Sequence, residues 1–204
     1  MPSNTRYYDR VGALYDAIIG PVSRNFRERA ATALQLSPDG RLLVVGVGSG
    51  LDLQFFPPET SGVGVDLSDG MLLRAKRRRA ELAMRHFELH KMNAEALDLP
   101  DASFDAVYLP LIVTVADDGA QVLAEAARVA KPGARLVIVD KLWPEDRDRP
   151  ALVRSFSQLT GKVATHIDRR FSEIHAGAPY LEVLSNEPAL FAGYFRLIVL
   201  RKPE

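Results

Sequence analysis

Leu42-Leu43-Val44-Val45-Gly46-Val47-Gly48-Ser49-Gly50 is followed sixteen residues later by Asp66, in the run Gly62-Val63-Gly64-Val65-Asp66-Leu67-Ser68. Leu42 to Val45 read as a short buried strand, and the glycines then let the backbone turn beneath a ligand too bulky to tolerate β-carbons. A carboxylate at the tip of the next strand can accept both hydroxyls of a ribose. Together these features place a nucleoside-binding site at the carboxyl edge of a parallel sheet. The G-x-G-x-G spacing differs from the G-x-G-x-x-G of a dinucleotide fingerprint, in which a helix N-terminus must approach a pyrophosphate. A glycine triplet alone also fits a tight strand-to-helix turn that holds no ligand.

The rest of the chain supplies the sheet that such a site needs. Strands are expected at residues 41–46, 62–66, 87–92, 104–109, 134–140, 181–185 and 193–201, short and apolar as fully covered strands should be. Helical patterns separate them, notably Ser68 to Arg85 and Asp117 to Ala130. Alternation of this kind predicts a doubly wound α/β fold with a mostly parallel, seven-stranded sheet. Two segments stand outside it. Residues 1–36 read as N-terminal helices broken at Gly20-Pro21, with Tyr8, Val11, Tyr15 and Ile18 on one stripe. Residues 142–178 read as a lid inserted into the main domain of residues 37–204.

Composition bounds the function. At 204 residues the chain suits one core with at most a small cap, and 47% hydrophobic with 25% charged residues matches an ordinary soluble protein. No apolar run approaches the length of a spanning helix and no charged-then-apolar leader opens the chain, so a cytoplasmic location is expected. The absence of cysteine excludes disulfides, thiolate zinc sites and cysteine nucleophiles. His86, His90, His166 and His175 do not form a ligand set, and no metal is expected. A formal net charge of zero hides an asymmetry: residues 74–91 hold seven Lys or Arg against two Glu, whereas residues 93–125 hold seven acids and no Lys or Arg. The plainer reading of the basic run is a solvated helix face, and an anionic lipid surface or a nucleic acid would otherwise suit it; of these two the lipid surface is the expected partner, and no nucleic acid is expected.

With these residues quoted, the chain resembles the class I S-adenosylmethionine-dependent methyltransferases over roughly residues 40 to 140. Val44 to Gly50 match the family's first motif and Gly62 to Ser68 its second. Met92-Asn93-Ala94-Glu95 match the third and Ser103-Phe104-Asp105-Ala106-Val107 the fourth, while Arg128-Val129-Ala130-Lys131-Pro132-Gly133 match the turn before the fifth strand. The resemblance implies a Rossmann-like methyltransferase fold and S-adenosylmethionine as cofactor, with S-adenosylhomocysteine as product. It also implies a cofactor site of Gly46, Gly48, Ser49, Gly50, Asp66, Leu67, Met71, Asn93, Ala94 and Leu109. Asp66 would take the ribose, Asn93 and the Ala94 backbone the adenine edge, and Met71 would cover the ring. Val44 departs from the family, which usually has an acid there that helps to hold the cofactor's amino group.

A finer resemblance is to bacterial phospholipid N-methyltransferases, which convert phosphatidylethanolamine stepwise to phosphatidylcholine. It rests on Tyr15-Asp16 before Gly20-Pro21-Val22-Ser23-Arg24 and on Ile112-Val113-Thr114-Val115-Ala116-Asp117. The resemblance implies a phospholipid substrate and peripheral attachment to the inner face of the membrane through the N-terminal helices. Tyr15 and Asp140 are then the candidate catalytic residues, and Tyr8, Lys141, Arg169, Arg170 and Tyr180 the candidate substrate-binding ones. Tyrosine rings suit a quaternary ammonium, and Lys141, Arg154, Arg169 and Arg170 are the lid's cations for a phosphate. For Asp140 the alternative is a cap or a partner of Lys141. Other readings are a quinone-precursor C-methyltransferase, a small-amine methyltransferase, and a regulatory module that binds cofactor without catalysis.

Overall fold

The computed structural model describes residues 24–148, 168–190 and 194–204. The expected N-terminal stripe with Tyr8 and Tyr15, and the lid residues 149–167 with Arg154, lie outside the described residues. Seven strands form one sheet: β1 Arg41–Val45, β2 Ser61–Asp66, β3 Phe87–Lys91, β4 Phe104–Pro110, β5 Ala130–Lys141, β6 Glu182–Leu190 and β7 Phe195–Arg201. Their order is β3-β2-β1-β4-β5-β7-β6. Strands β1 to β5 pair in parallel, and β7 runs antiparallel between β5 and β6. The described helices are α1 at residues 24–33, α2 Asp69–Glu81, α3 Gly119–Val129 and the short α4 Phe171–His175.

The period-two rule for strands explains why so many of these segments are apolar throughout. Leu42 and Val44 of β1, Ala106 and Tyr108 of β4, and Val137 and Val139 of β5 face a cluster that Phe26, Ala30 and Leu34 close from the α1 segment. Leu43 and Val45, Val107 and Leu109, and Leu136 and Ile138 face the opposite cluster, closed by Val122, Leu123, Ala126 and Ala127 of α3. Both faces are covered, so no polar alternation survives in the central strands. Ser68 caps α2 by accepting from the Met71 N–H, and Arg78 and Arg79 sit in its last turn, where the helix dipole favours cations. Part of the basic run therefore serves the fold: Arg79 donates to the Phe87 carbonyl, and Lys91 pairs with Asp69. No helix among the described residues is long and apolar enough to cross a membrane.

Two expectations need correction here. The strand expected at residues 181–185 extends to Leu190, so that Asn186, Glu187 and Pro188 lie within β6, where Glu187 pairs with Leu197 and Pro188 with Arg196. A register shift between Pro188 and Leu190 accommodates the proline within the strand. The second concerns Tyr180, a candidate substrate-binding residue. It precedes β6, whose Glu182 end pairs with Arg201; Arg201 in turn pairs with Arg135, the partner of Ala106 near the amino end of β4. Tyr180 therefore lies at the amino edge of the sheet, a strand's length from the carboxyl edge where ligands bind in such sheets.

Arg128 ties α3 to the loop after β3. It donates to the Leu97 and Leu99 carbonyls and pairs with Glu125 and Asp101. Hydrogen bonding from Arg128, with a further bond from the Leu97 N–H, holds the Glu125 carboxyl below its ordinary value despite the opposing effect of burial. Because the folded value is the lower one, this stabilisation is complete above the ordinary glutamate pKa of about 4.3 and is lost as pH falls through the folded value. Glu125→Gln should therefore show a flatter acid limb when thermal midpoints are followed from neutrality down to about pH 3. A limb parallel to that of wild type would remove Glu125 from the acid response.

Candidate active site

The parallel strands deliver their carboxyl ends to one pocket of about 200 Å³. After β1 the backbone turns at Gly46, whose φ of +76° belongs to the left-handed region, and a Cβ there would stand 2.8 Å from Cβ of Ile112. The N–H groups of Gly46 and Val47 both donate to the Val65 carbonyl at 2.9 Å. Asp66, at the tip of β2, accepts from the Gly48 N–H at 2.8 Å and the Ser68 N–H at 2.9 Å. One carboxylate thus fixes both the glycine turn and the start of α2. Arg78 reaches over from α2 to the Ser49 carbonyl and hydroxyl, so it too belongs to the turn rather than to a solvated face.

Gly46, Gly48, Ser49, Asp66, Leu67, Met71, Asn93, Ala94 and Lys141 all line this pocket. Asn93 sits at the end of β3 with its side-chain oxygen accepting from the Glu95 N–H. Gly50 belongs to the same turn at φ +76°, but it backs onto Leu53 and Ala75 and is not part of the lining. Leu109 is likewise not part of the lining; it is fully buried in the α3-side core.

The expected substrate and catalytic residues divide differently. Asp140 is fully buried and absent from the lining; its oxygens accept from the Thr114 N–H and hydroxyl and from the Lys141 N–H. Burial raises its carboxyl above the ordinary value against these bonds and the Lys141 charge. Its described role is to hold the Thr114 turn, which corrects the reading of it as a base. Arg169 is not a free lid cation either, for its guanidinium donates to the carbonyls of Val113, Ala116 and Asp117 at 2.6, 2.7 and 2.5 Å. Arg170 donates to the Arg147 carbonyl at 2.7 Å and stands outside the lining. Lys141 does enter the pocket, and burial holds its ammonium below the ordinary value against the opposing pull of Asp140.

Several lining residues are not among the site residues expected from the sequence. Pro110, Leu111, Ile112, Val115 and Ala116 form an apolar wall after β4, with Leu111 at φ +55°, a strained value for a leucine. Arg27 and Asp52 add a buried ion pair to the lining. Among the described residues no cluster of His, Asp or Glu is arranged to hold a metal ion. A nucleoside platform beside an apolar wall suits the binding of an adenosine cofactor next to an acceptor.

Comparisons with known proteins agree with this geometry. Residues 43–138 match a family model described as a methyltransferase domain. The chain is 32% identical over 195 residues to a phosphatidylethanolamine N-methyltransferase of Cereibacter sphaeroides, covering 95% of each chain. It is 35% identical over 132 residues to the ubiquinone/menaquinone biosynthesis C-methyltransferase UbiE of Geobacter sulfurreducens, covering 62% of this chain and 51% of that protein. The crystal structure of the [4+2]-cyclase SpnF superposes with a TM-score of 0.80 at 15% identity, covering 98% of this chain and 94% of that one. A geranyl diphosphate C-methyltransferase of Streptomyces coelicolor A3(2), solved with S-adenosyl-L-homocysteine, gives a TM-score of 0.73 at 16% identity, covering 89% and 77%. At such identities the solved structures speak for the fold, and a cyclase among them shows how little the fold alone says of the reaction. The near end-to-end relationship to a methyltransferase goes further, and the chain belongs to the class I S-adenosylmethionine-dependent methyltransferases.

Proposed function

We propose that the acceptor is the amine of phosphatidylethanolamine and of its mono- and dimethyl forms, methylated at the inner membrane surface. The observation that supports this is the extent of the similarity to the phosphatidylethanolamine N-methyltransferase. It spans 95% of both chains rather than the 43–138 stretch alone, so it takes in the N-terminal and lid segments. In the reaction the amine lone pair forms a bond to the methyl carbon as the carbon–sulfur bond breaks, leaving S-adenosylhomocysteine. The proton must leave the amine first, which at neutral pH costs about 4 to 5 kcal/mol for a group with a lysine-like pKa. The apolar wall of Pro110, Leu111, Ile112 and Val115 favours the neutral amine by withholding water. We assign Tyr15 to the amine and Tyr8 to the ring faces that hold the methylated cation. Asp66, Asn93 and Met71 hold the nucleoside, and residues 1–36 act as the membrane-contacting cap.

Among the described residues Lys141 is the lid-side cation that lines the pocket, and we assign it to the lipid phosphate. A phosphate beside it restores the charge that burial disfavours. Lys141→Met should raise the KM for lipid about 10-fold or more while leaving cofactor affinity unchanged. An unchanged KM would exclude that role. The reading as a whole is tested with labelled cofactor and vesicles of phosphatidylethanolamine mixed with an anionic lipid. Mono-, di- and trimethylated lipid should appear, at a rate that falls with added salt. The similarity to a quinone-pathway C-methyltransferase supports the second reading. If the lipid stays unlabelled while a demethylated quinone takes the label, that second reading stands; if neither does under cofactor-saturating conditions, the regulatory module gains.

A further inference from the structure

The outward side of α2 carries an apolar residue among cations that the fold does not use. Met71, Leu72 and Ala75 are buried against the sheet, while Leu73, Lys76, Arg77 and Ala80, spaced i, i+3, i+4 and i+7, form one exposed stripe on the opposite side. Leu73 is 55% exposed. The other ions of the helix are engaged: Asp69 takes Lys91, Arg74 donates to the Met71 sulfur, Arg78 donates to the Ser49 carbonyl and Arg79 to the Phe87 carbonyl. The side chains of Lys76 and Arg77 make no hydrogen bond or ion pair among the described residues, and Glu81, one turn after Arg77, pairs with neither. Alanine or glutamate would serve helix propensity at these positions as well.

The stripe lies on the same side of the sheet as the cation assigned to the lipid phosphate. Helix α2 follows β2 at the carboxyl edge, and its first turn, with the capping Ser68, gives Met71 to the pocket lining. Leu72 packs in one cluster with Phe26, Ala30 and Leu34, so α1 and α2 cover the same face. Val137 and Val139 of β5 belong to that cluster too, and Lys141 continues their alternation. Lys141 therefore leans towards the face that α2 covers.

We infer that the Leu73, Lys76 and Arg77 stripe of α2 rests on an anionic phospholipid surface, with Leu73 in the boundary between headgroups and acyl chains and the two cations on lipid phosphates. Such a contact rests on the membrane-surface reading above and extends it to a helix of the main domain. Charge complementarity sets the sign of the partner, and the leucine beside the cations selects lipid over nucleic acid, whose backbone gives an apolar side chain little burial. One leucine and two cations do not anchor a protein; they decide which side of it faces the bilayer. This orientation turns the Lys141 side of the pocket towards the headgroups.

The chain has no cysteine, so Leu73→Cys can be labelled at one site with an environment-sensitive fluorophore. Gln121→Cys, exposed on α3 over the opposite face, is the control. On vesicles of phosphatidylcholine with phosphatidylglycerol, the label at position 73 should shift to the blue and brighten about twofold, and the label at position 121 should do neither. Lys76→Gln with Arg77→Gln should weaken vesicle binding about 10- to 30-fold, at about fivefold per cation near the surface, with cofactor affinity and thermal midpoint unchanged. Vesicle-bound protein whose label at position 73 stays in water overturns the α2 contact and leaves the membrane reading standing, whereas a wild-type chain that does not sediment with these vesicles sinks both. If the double variant loses affinity for a mixed-sequence DNA duplex and keeps its hold on vesicles, the stripe is a nucleic-acid surface and the α2 contact is overturned.

Discussion

Arg169→Ala is expected to lower stability by about 2 to 4 kcal/mol and to abolish most methyl transfer. The guanidinium gathers the carbonyls of Val113, Ala116 and Asp117 into one knot, and hydrogen bonds to charged donors are worth about 1.5 to 3 kcal/mol each before non-additivity. Ile112, Val115, Ala116 and Asp117 of this loop line the pocket, so its release loosens the acceptor wall. For a chain of this size the thermal midpoint should fall by about 5 to 15 °C. Arg169→Lys should recover little, since a single ammonium replaces the planar fork. A variant with an unchanged midpoint that fails only at the lipid step would instead return Arg169 to the phosphate-binding role expected from sequence.

Asp66→Ala should weaken S-adenosylmethionine by about 1.5 to 3 kcal/mol, roughly 10- to 150-fold. The expected loss includes the ribose contacts and the anchoring of the glycine turn through the Gly48 and Ser68 N–H groups. Asp66→Asn should not restore binding, because its amide can offer an oxygen to only one of the two N–H donors and turns a donor towards the other. Calorimetry measures both variants, and unchanged affinity in Asp66→Ala would remove the residue from the site.

The parts of the site that could be read from the sequence are those whose geometry is local. Gly46 to Gly50 and Asp66 are joined by one strand–turn–helix–strand unit, so spacing alone sets their relation. Arg27 and Asp52 are 25 residues apart and meet only because α1 packs across the sheet face. No period or motif reports such a meeting. Arg169 was visible as a cation, but the direction of a long side chain is decided by the carbonyls it finds. Asp140 illustrates the same limit: its place at the end of β5 was foreseen, whereas its capture by Thr114 was not. Tyr180 is a different kind of miss. It precedes a strand parallel to β5, and that alone assigns it to the amino edge.

The edge strand β6 has a consequence for solubility. It leaves Val183 and Leu184 exposed, with Tyr180 exposed just before it, so it offers sticky side chains at the sheet's open border. A flat strand there would be a template on which a second molecule's strand could grow, and sheets joined in that way go on to polymerise. Two register shifts, between Val183 and Ser185 and between Pro188 and Leu190, bend β6 out of a regular ladder. Pro188 also removes one N–H from its length. The register shifts and the proline thus make the border a poor nucleus for fibrils.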